Sequence, residues 1–170
     1  MIPVLETDRL ILRAPKAEDF DRFAAFFGSD RARYVGGPIT REQAWRALAA
    51  ELGHWHLRGY GRWALEEKET GAFCGIIGLW YPEGWPEPEI GWELMDGFEG
   101  RGFATEAAIA ARTYAYDVVK LPTLISLILH ENIGSARLAE RLGATLEGEF
   151  THQRLGLMQV WRHLGPEAVQ

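Results

Sequence analysis

Apolar positions in the first third of the chain alternate briefly and then recur at helical spacing. Residues 9–14, RLILRA, have the alternation of a short strand, and residues 16–27 place phenylalanines at helical spacing behind acidic residues. Residues 40–59 predict a longer helix, because Thr40 can cap its first turn and Gln43, three residues later, can complete a capping box. The chain is therefore expected to open with one strand and two helices.

Three apolar runs rich in aromatic residues follow, and each predicts a strand. Residues 62–68 and 73–81 are joined by the segment ETGA, which is typical of a hairpin, and residues 89–95 follow a proline-rich break. We expect these three consecutive strands to pair antiparallel and to form the centre of a sheet.

The second half of the chain alternates between helices and strands. The pattern predicts an alanine-rich helix that ends near residue 120, a strand over 123–130, a short helix over 133–144 and a closing strand over 155–164. The complete order predicts an α/β fold with a mixed sheet. It departs from the strict alternation of a doubly wound dinucleotide-binding fold.

Composition and charge narrow the class of protein. The 170 residues are 47% hydrophobic and 25% charged, which predicts one globular domain over residues 1–170. No run of eighteen apolar residues exists, and charges occupy the N-terminal region where a signal peptide needs an apolar block, so we expect a cytoplasmic protein. A net charge of -6 argues against a nucleic-acid or anionic-membrane partner.

The single cysteine, Cys74, excludes a disulfide framework and a thiolate metal cluster. It lies in an apolar run, so we expect a buried and unreactive thiol rather than a nucleophile. We expect no metal cofactor.

The segment EGRGFATEA, residues 99–107, sets two glycines at the predicted start of a helix. Glycine allows a sharp turn and close approach to the backbone, and the first N–H groups of a helix lack partners at the positive end of its dipole. A phosphate group fits there, with Arg101 adding charge and Thr105 a hydroxyl. The amides expected to bind it belong to Gly100, Arg101, Gly102, Phe103 and Ala104. The alternative is a glycine-bent connection that binds nothing.

Two common nucleotide-binding patterns do not fit this segment. A Walker loop needs a different glycine spacing and a lysine, and GRGFAT has neither. A dinucleotide fingerprint follows the first strand of a βαβ unit, whereas this turn follows the fourth predicted strand. NAD is therefore not the expected ligand.

Residues 89–107, followed by residues 130–144 (HENIGSARLAERLGA), resemble the GNAT N-acetyltransferases, in particular the branch of ribosomal-protein N-terminal acetyltransferases. Residues 5–20, LETDRLILRAPKAEDF, resemble the start of the same branch, so the likeness spans nearly the whole chain. The matching residues of the central motifs are Gly102, Ala104, Asn132 and Ser135.

The resemblance implies a largely antiparallel central sheet, flanked by helices, in which two adjacent parallel strands splay apart. Those strands would be residues 89–95 and 123–130, and the co-substrate would be acetyl-CoA, with its pyrophosphate in the glycine turn. Leu94 and Met95 would offer backbone groups to the pantetheine arm. Asn132 would bind the same arm, although an asparagine before a helix is also a common cap.

Two positions depart from the family pattern. The first position of the glycine motif, usually Gln or Arg, is Glu99, so we assign its side chain no role. The tyrosine that many GNAT enzymes place seven residues after the asparagine is Ala139 here. Ser135, which also belongs to the implied cofactor site, is then the candidate to take the place of this tyrosine.

Direct acetyl transfer needs a base for the amine, a donor for the thioester oxygen and a proton for the departing thiolate. Glu93, on the splayed strand, is the expected base, although it could be a solvated strand carboxylate. The Met95 N–H is expected to polarise the thioester carbonyl. Ser135 is expected to protonate the sulfur, although it could instead be an ordinary serine at the N-terminus of a helix. The secondary candidates for the base are Glu89, His130 and His152.

The resemblance implies that the acceptor is a primary amine of a small molecule or peptide, and it favours a protein N-terminus. A non-catalytic acyl-CoA-binding sensor or interaction module is the alternative, because Glu99 and the missing tyrosine are compatible with lost chemistry. A homodimer is possible, since it is the commonest assembly of soluble proteins, but no feature of the sequence points to an oligomeric state.

Overall fold

The computed structural model describes residues 1–169, which form one mixed sheet with flanking helices. The strands β1 to β8 span Leu5–Glu6, Leu10–Arg13, Arg62–Glu67, Phe73–Trp80, Glu89–Leu94, Ile125–Leu129, Thr145–His152 and Gly156–Arg162. The helices α1 to α4 span Phe20–Phe27, Arg41–Arg58, Phe103–Asp117 and Ile133–Arg141. Short 3₁₀ turns cover Ala17–Asp19, Asp30–Ala32 and Pro166–Ala168.

The strand order across the sheet is β1-β2-β3-β4-β5-β6-β8-β7. Neighbouring strands are antiparallel except for β5 and β6, which are parallel. The predicted α/β class, with its mixed and largely antiparallel sheet and one parallel pair, is confirmed.

The sequence signals at the ends of α2 have the predicted effect. The Thr40 hydroxyl accepts from the Gln43 N–H at 3.2 Å, and the Gln43 side chain accepts from the Thr40 N–H at 2.9 Å. Gly59 follows the last turn in the left-handed region, with φ of 77°. Both ends of the helix are therefore defined by local chemistry.

Helix α3 packs against β4 and β5 and thereby carries the glycine turn to the end of β5. Its buried side chains are mostly small, which lets the helix axis lie close to the sheet. These buried residues are Phe103, Ala107, Ala108, Ala111, Arg112, Ala115 and Tyr116.

Strands β1 and β7 were not expected from the sequence. Most side chains of β7 are exposed, so its residues lack the alternation of buried and exposed positions that reveals a strand. The strand exists because its backbone pairs with β8, from Thr145 opposite Arg162 to His152 opposite Gly156. The single domain and the homodimer stay predictions.

Candidate active site

Strands β5 and β6 separate immediately after they meet. Their register contains one pair, Glu89 opposite Ile125, and the Ile125 N–H donates to the Pro88 carbonyl at 3.2 Å. Beyond that pair, hydrogen bonds made by side chains take the place of the backbone hydrogen bonds that would join two paired strands. The Leu127 N–H donates to the Glu89 carboxylate at 2.9 Å, and the Ser126 hydroxyl donates to the Ile90 carbonyl at 2.6 Å. The two strands thus form a V whose apex is closed by side chains.

The glycine turn lies between the open end of β5 and the start of α3. Gly100 and Gly102 have φ of 74° and 80°, a region that side chains disfavour, and Gly102 is the N-cap of the helix. A Cβ at Gly102 would lie 3.3 Å from the Arg9 guanidinium. That guanidinium donates to the Arg101 carbonyl at 2.8 Å and so braces the turn. The first-turn amides of α3 are left for a ligand.

A pocket of about 610 Å³ connects this turn with the open V. Most of the predicted site residues line it, namely Glu93, Leu94, Gly100, Gly102, Phe103, Ala104, Thr105, Asn132 and Ser135. Further lining residues come from the connection between α1 and α2, from β5 and from α4: Phe26, Arg31, Tyr34, Val35, Trp92, Glu99, Gly134, Leu138 and Arg141.

The backbone of Met95 corrects one expectation. Its N–H donates to the Cys74 carbonyl at 2.9 Å, its carbonyl accepts from the Phe98 N–H at 3.2 Å, and its side chain is buried. Because backbone groups alternate between the two edges of a strand, the polar groups of Leu94 face the open V instead. The Leu94 backbone therefore lies on the edge that faces the V, whereas the Met95 N–H is already engaged and faces β4.

The side chain of Arg101 corrects another expectation. Its guanidinium pairs with the Glu67 carboxylate and lies over the Phe103 ring, 4.4 Å from the centroid. Arg101 contributes its backbone to the glycine turn, but its charge is directed toward β3. Sequence alone could not reveal this pairing, because the two residues are distant in the chain.

Glu93 projects from β5 into a buried ion-pair cluster at the pocket wall. Both of its carboxylate oxygens accept from Arg62 Nη1, at 2.7 and 2.6 Å, and Arg62 also pairs with Glu51. Burial raises the pKa of Glu51. Two carboxylates around one guanidinium leave this cluster with a formal charge of -1 when both are ionised.

The secondary candidates for the base lie outside the pocket lining. Glu89 accepts from Leu127 and from the Trp85 indole, and burial raises its pKa to about 7. His130 pairs with Glu149 at 3.0 Å, and His152 accepts backbone N–H groups in the β7–β8 hairpin. These contacts give the two histidines structural roles.

Asn132 and Ser135 lie together at the start of α4. The Asn132 side chain accepts from the Ser135 N–H at 3.3 Å and caps the helix, as one alternative predicted. The Ser135 hydroxyl accepts from the Trp92 indole N–H at 3.1 Å, which joins the α4 wall of the pocket to the β5 wall. Both residues also face the pocket, so capping and ligand contact are compatible.

Comparison with known proteins decides the family. Residues 9–145 match the model described as an acetyltransferase (GNAT) domain. This chain belongs to the GNAT acetyltransferases. An acetyltransferase from Agrobacterium tumefaciens str. C58 has a similar structure, with a TM-score of 0.89 and 38% identity over 96% of this chain and 95% of that one. The uncharacterized N-acetyltransferase YoaA of Bacillus subtilis (strain 168) is 31% identical over 158 residues, covering 87% of this chain and 86% of YoaA.

A more distant GNAT structure shares the fold. RimL, a ribosomal alpha-N-protein acetyltransferase solved in complex with coenzyme A, has a TM-score of 0.78 at 15% identity, over 95% of this chain and 98% of that one. Family and neighbours together make this chain an acyltransferase enzyme, in preference to the non-catalytic sensor. Within residues 1–169, no helix has the length and apolar character needed to cross a membrane, and no group of three or more potential metal ligands comes together.

Arg31 is the main residue of this GNAT site that sequence reasoning missed. It lies just after α1, pairs with the Glu99 carboxylate, and donates to the Leu94 carbonyl at 3.0 Å. The second Glu99 oxygen accepts from the Gly97 N–H at 3.1 Å. The acid at the first motif position therefore meets a cation brought from another part of the chain, which reduces its repulsion toward a phosphate.

Cys74 lies apart from this chemistry. It is buried in β4, its thiol donates to the Leu65 carbonyl at 3.5 Å, and burial raises its pKa to about 12. Such a thiol stays protonated at neutral pH, which agrees with the expectation of an unreactive cysteine.

Proposed function

We propose that this GNAT acetyltransferase uses acetyl-CoA to acetylate a primary amine. The observation that carries the proposal is the continuous pocket that joins the left-handed glycine turn at α3 to the open edge of β5. The turn offers helix N-terminal amides to a pyrophosphate, and the Leu94 N–H, on the strand edge that faces the V, offers a donor to the pantetheine arm, while the Leu94 carbonyl accepts from Arg31. The structural likeness to CoA-bound RimL supports the same ligand.

Each chemical need has a residue in the pocket. Glu93, whose carboxylate is held by Arg62 at the pocket wall, attracts the ammonium form of the acceptor and accepts its proton, directly or through water. Ser135 protonates the departing thiolate, and Asn132 binds the pantetheine arm. Acetyl-CoA supplies an activated acetyl group whose transfer forms the amide bond and releases the thiol.

A protein or peptide N-terminus is the proposed acceptor class. The opening of the chain and its central motifs resemble the ribosomal-protein branch, and the fold matches RimL, whose substrate is a ribosomal protein. A panel of amines that contains short peptides, polyamines, free amino acids and aminoglycosides separates this class from the small-molecule classes, because thiol release would be fastest with the peptides.

The glycine turn can be tested with a matched pair of substitutions. Gly97 and Gly100 have φ of 88° and 74°, and at each an added Cβ has open space, but only Gly100 lines the pocket. Gly97→Ala and Gly100→Ala should each cost about 1 kcal/mol of folding free energy from the left-handed backbone. CoA affinity, measured by calorimetry, should fall only for Gly100→Ala. Equal affinity for both variants, or no CoA binding by the unsubstituted protein, would refute the proposed turn.

The catalytic assignments are tested by turnover. Glu93→Gln and Ser135→Ala should each lower kcat by about tenfold or more, while the Kd for CoA changes little. Glu89→Gln serves as the comparison, because Glu89 closes the apex of the V outside the pocket lining. If Glu89→Gln lost turnover and Glu93→Gln kept it, the base would be Glu89.

A further inference from the structure

Trp92 and Ser135 make a hydrogen bond across the mouth of the V. Trp92 lies on β5 and Ser135 on α4, and the indole N–H is 3.1 Å from the hydroxyl oxygen. Both residues line the pocket. An indole N–H donates and never accepts, so the direction of this bond is fixed by chemistry: the serine oxygen is the acceptor.

That direction determines what the serine hydroxyl can do. A hydroxyl has one proton, and the indole already occupies a lone pair of its oxygen, so the O–H bond rotates away from Trp92. The Ser135 backbone N–H is held by the Asn132 side chain at 3.3 Å, which fixes the start of α4. Since Ser135 lines the pocket, its O–H can be directed toward a ligand. Accepting one hydrogen bond also makes a hydroxyl a better donor of another.

The indole itself is held firmly on both sides. Trp92 packs against the main core and against a second cluster that contains Ile128, Ala139, Ala144 and Trp161. The His163 ring meets it edge to face, with the centroids 6.3 Å apart. Rotation of the indole would disturb these contacts, so the N–H keeps its aim.

We propose that Trp92 is the positioning residue for the Ser135 hydroxyl, directing its proton toward the sulfur of the departing thiolate. This inference rests on the proposed function of Ser135 as the proton donor. Trp92 acts through Ser135, and its indole donates a hydrogen bond without transferring a proton to the substrate. The proton that reaches the sulfur is that of the serine hydroxyl, which regains one from solvent.

The test removes the N–H while keeping an aromatic ring. Trp92→Phe should lower kcat by about tenfold with little change in the KM for acetyl-CoA, because binding groups are retained. The double variant Trp92→Phe with Ser135→Ala should turn over no more slowly than Ser135→Ala alone, since residues that act as one unit are not additive. Trp92→His, which retains a ring N–H, should keep more kcat than Trp92→Phe.

Trp161 provides the matched control. Its indole N–H also donates to a side-chain oxygen, that of Gln159 at 3.1 Å, and it packs in the same second cluster, but it does not line the pocket. Trp161→Phe should leave kcat unchanged, and both phenylalanine variants should unfold at similar urea concentrations.

The outcomes distinguish the positioning role of Trp92 from the proposed function. If Ser135→Ala lowers kcat while Trp92→Phe does not, or if the losses in the double variant multiply, the positioning role is refuted and the proposed function stands. If Ser135→Ala retains full turnover, the serine is not the proton donor, and the positioning role is refuted with it. If the chain binds no CoA, the proposed function itself is refuted.

Discussion

At the scale of single residues, the pairing of Arg31 with Glu99 gives a direct prediction about cofactor affinity. Arg31→Gln would leave the Glu99 carboxylate without its cationic partner, beside the amides that are proposed to bind the pyrophosphate. We expect the affinity for CoA to fall roughly fivefold, the scale of one partly exposed ion pair, with a larger loss at low salt. Calorimetry at two salt concentrations measures this change.

The double variant controls for the charge. Arg31→Gln with Glu99→Gln removes both partners, so the repulsion disappears and the affinity should return close to its original value. If the double variant binds CoA as weakly as Arg31→Gln, then Arg31 acts through another contact, such as its bond to the Leu94 carbonyl.

The place of a single residue in the site could be predicted where a sequence motif determines it. It could not be predicted where it depends on a partner that is distant in the chain. The glycine turn was predicted from two glycines before a helix, whereas Asn132 and Ser135 were assigned from the family resemblance, and all of them line the pocket. The charge of Arg101 was misplaced, because its partner Glu67 lies on another strand. Met95 was misplaced because one step along a strand reverses the edge to which the backbone points.

At the scale of elements, the apex of the V depends on Ser126. Its hydroxyl donates to the Ile90 carbonyl at 2.6 Å and lies 2.9 Å from His163 Nε2, so it joins β5, β6 and the residue after β8. Ser126→Ala would leave two buried polar groups without partners and should cost about 2 kcal/mol of unfolding free energy in urea titration.

A second serine provides the comparison for this substitution. Ser29 donates to the Phe26 carbonyl at 2.7 Å in a partly buried helix end, where water can replace the lost bond. Ser29→Ala should therefore cost clearly less than Ser126→Ala. Equal costs would show that the hydrogen bonds at the apex do not stabilise the splayed strands.

Elements were predicted well where burial leaves a pattern. The helix over Arg41–Arg58 was found from its capping box, and the central strands from their apolar runs. Strand β7 was missed because Thr145–His152 is exposed along nearly its whole length, so its existence depends on pairing with β8. The splay of β5 and β6 was predicted only from the family resemblance. No pattern of apolar residues shows where side-chain hydrogen bonds take the place of backbone pairing between two strands.

At the scale of the whole molecule, two buried groups give the stability opposite pH dependences. Burial lowers the pKa of His163 to about 4 from 6.5, so its contribution is complete above pH 6.5 and is lost as the pH falls toward 4. Burial raises the pKa of Glu89 to about 7 from 4.5, so its contribution is complete below pH 4.5 and is lost as the pH rises through 7. Between these limits the two effects partly cancel.

Replacing Glu89 removes its pH dependence and makes the contribution of His163 easier to measure. In a Glu89→Gln background His163 should contribute a rise of about 3 kcal/mol in the unfolding free energy from pH 4 to pH 6.5, because the folded protein excludes the proton that the unfolded chain binds. Adding His163→Gln removes that contribution, since glutamine does not titrate and can still donate to Ser126. The difference between the two unfolding curves at each pH isolates the histidine from the carboxylates that titrate nearby. Parallel curves would mean that His163 binds its proton equally well in the folded and unfolded protein.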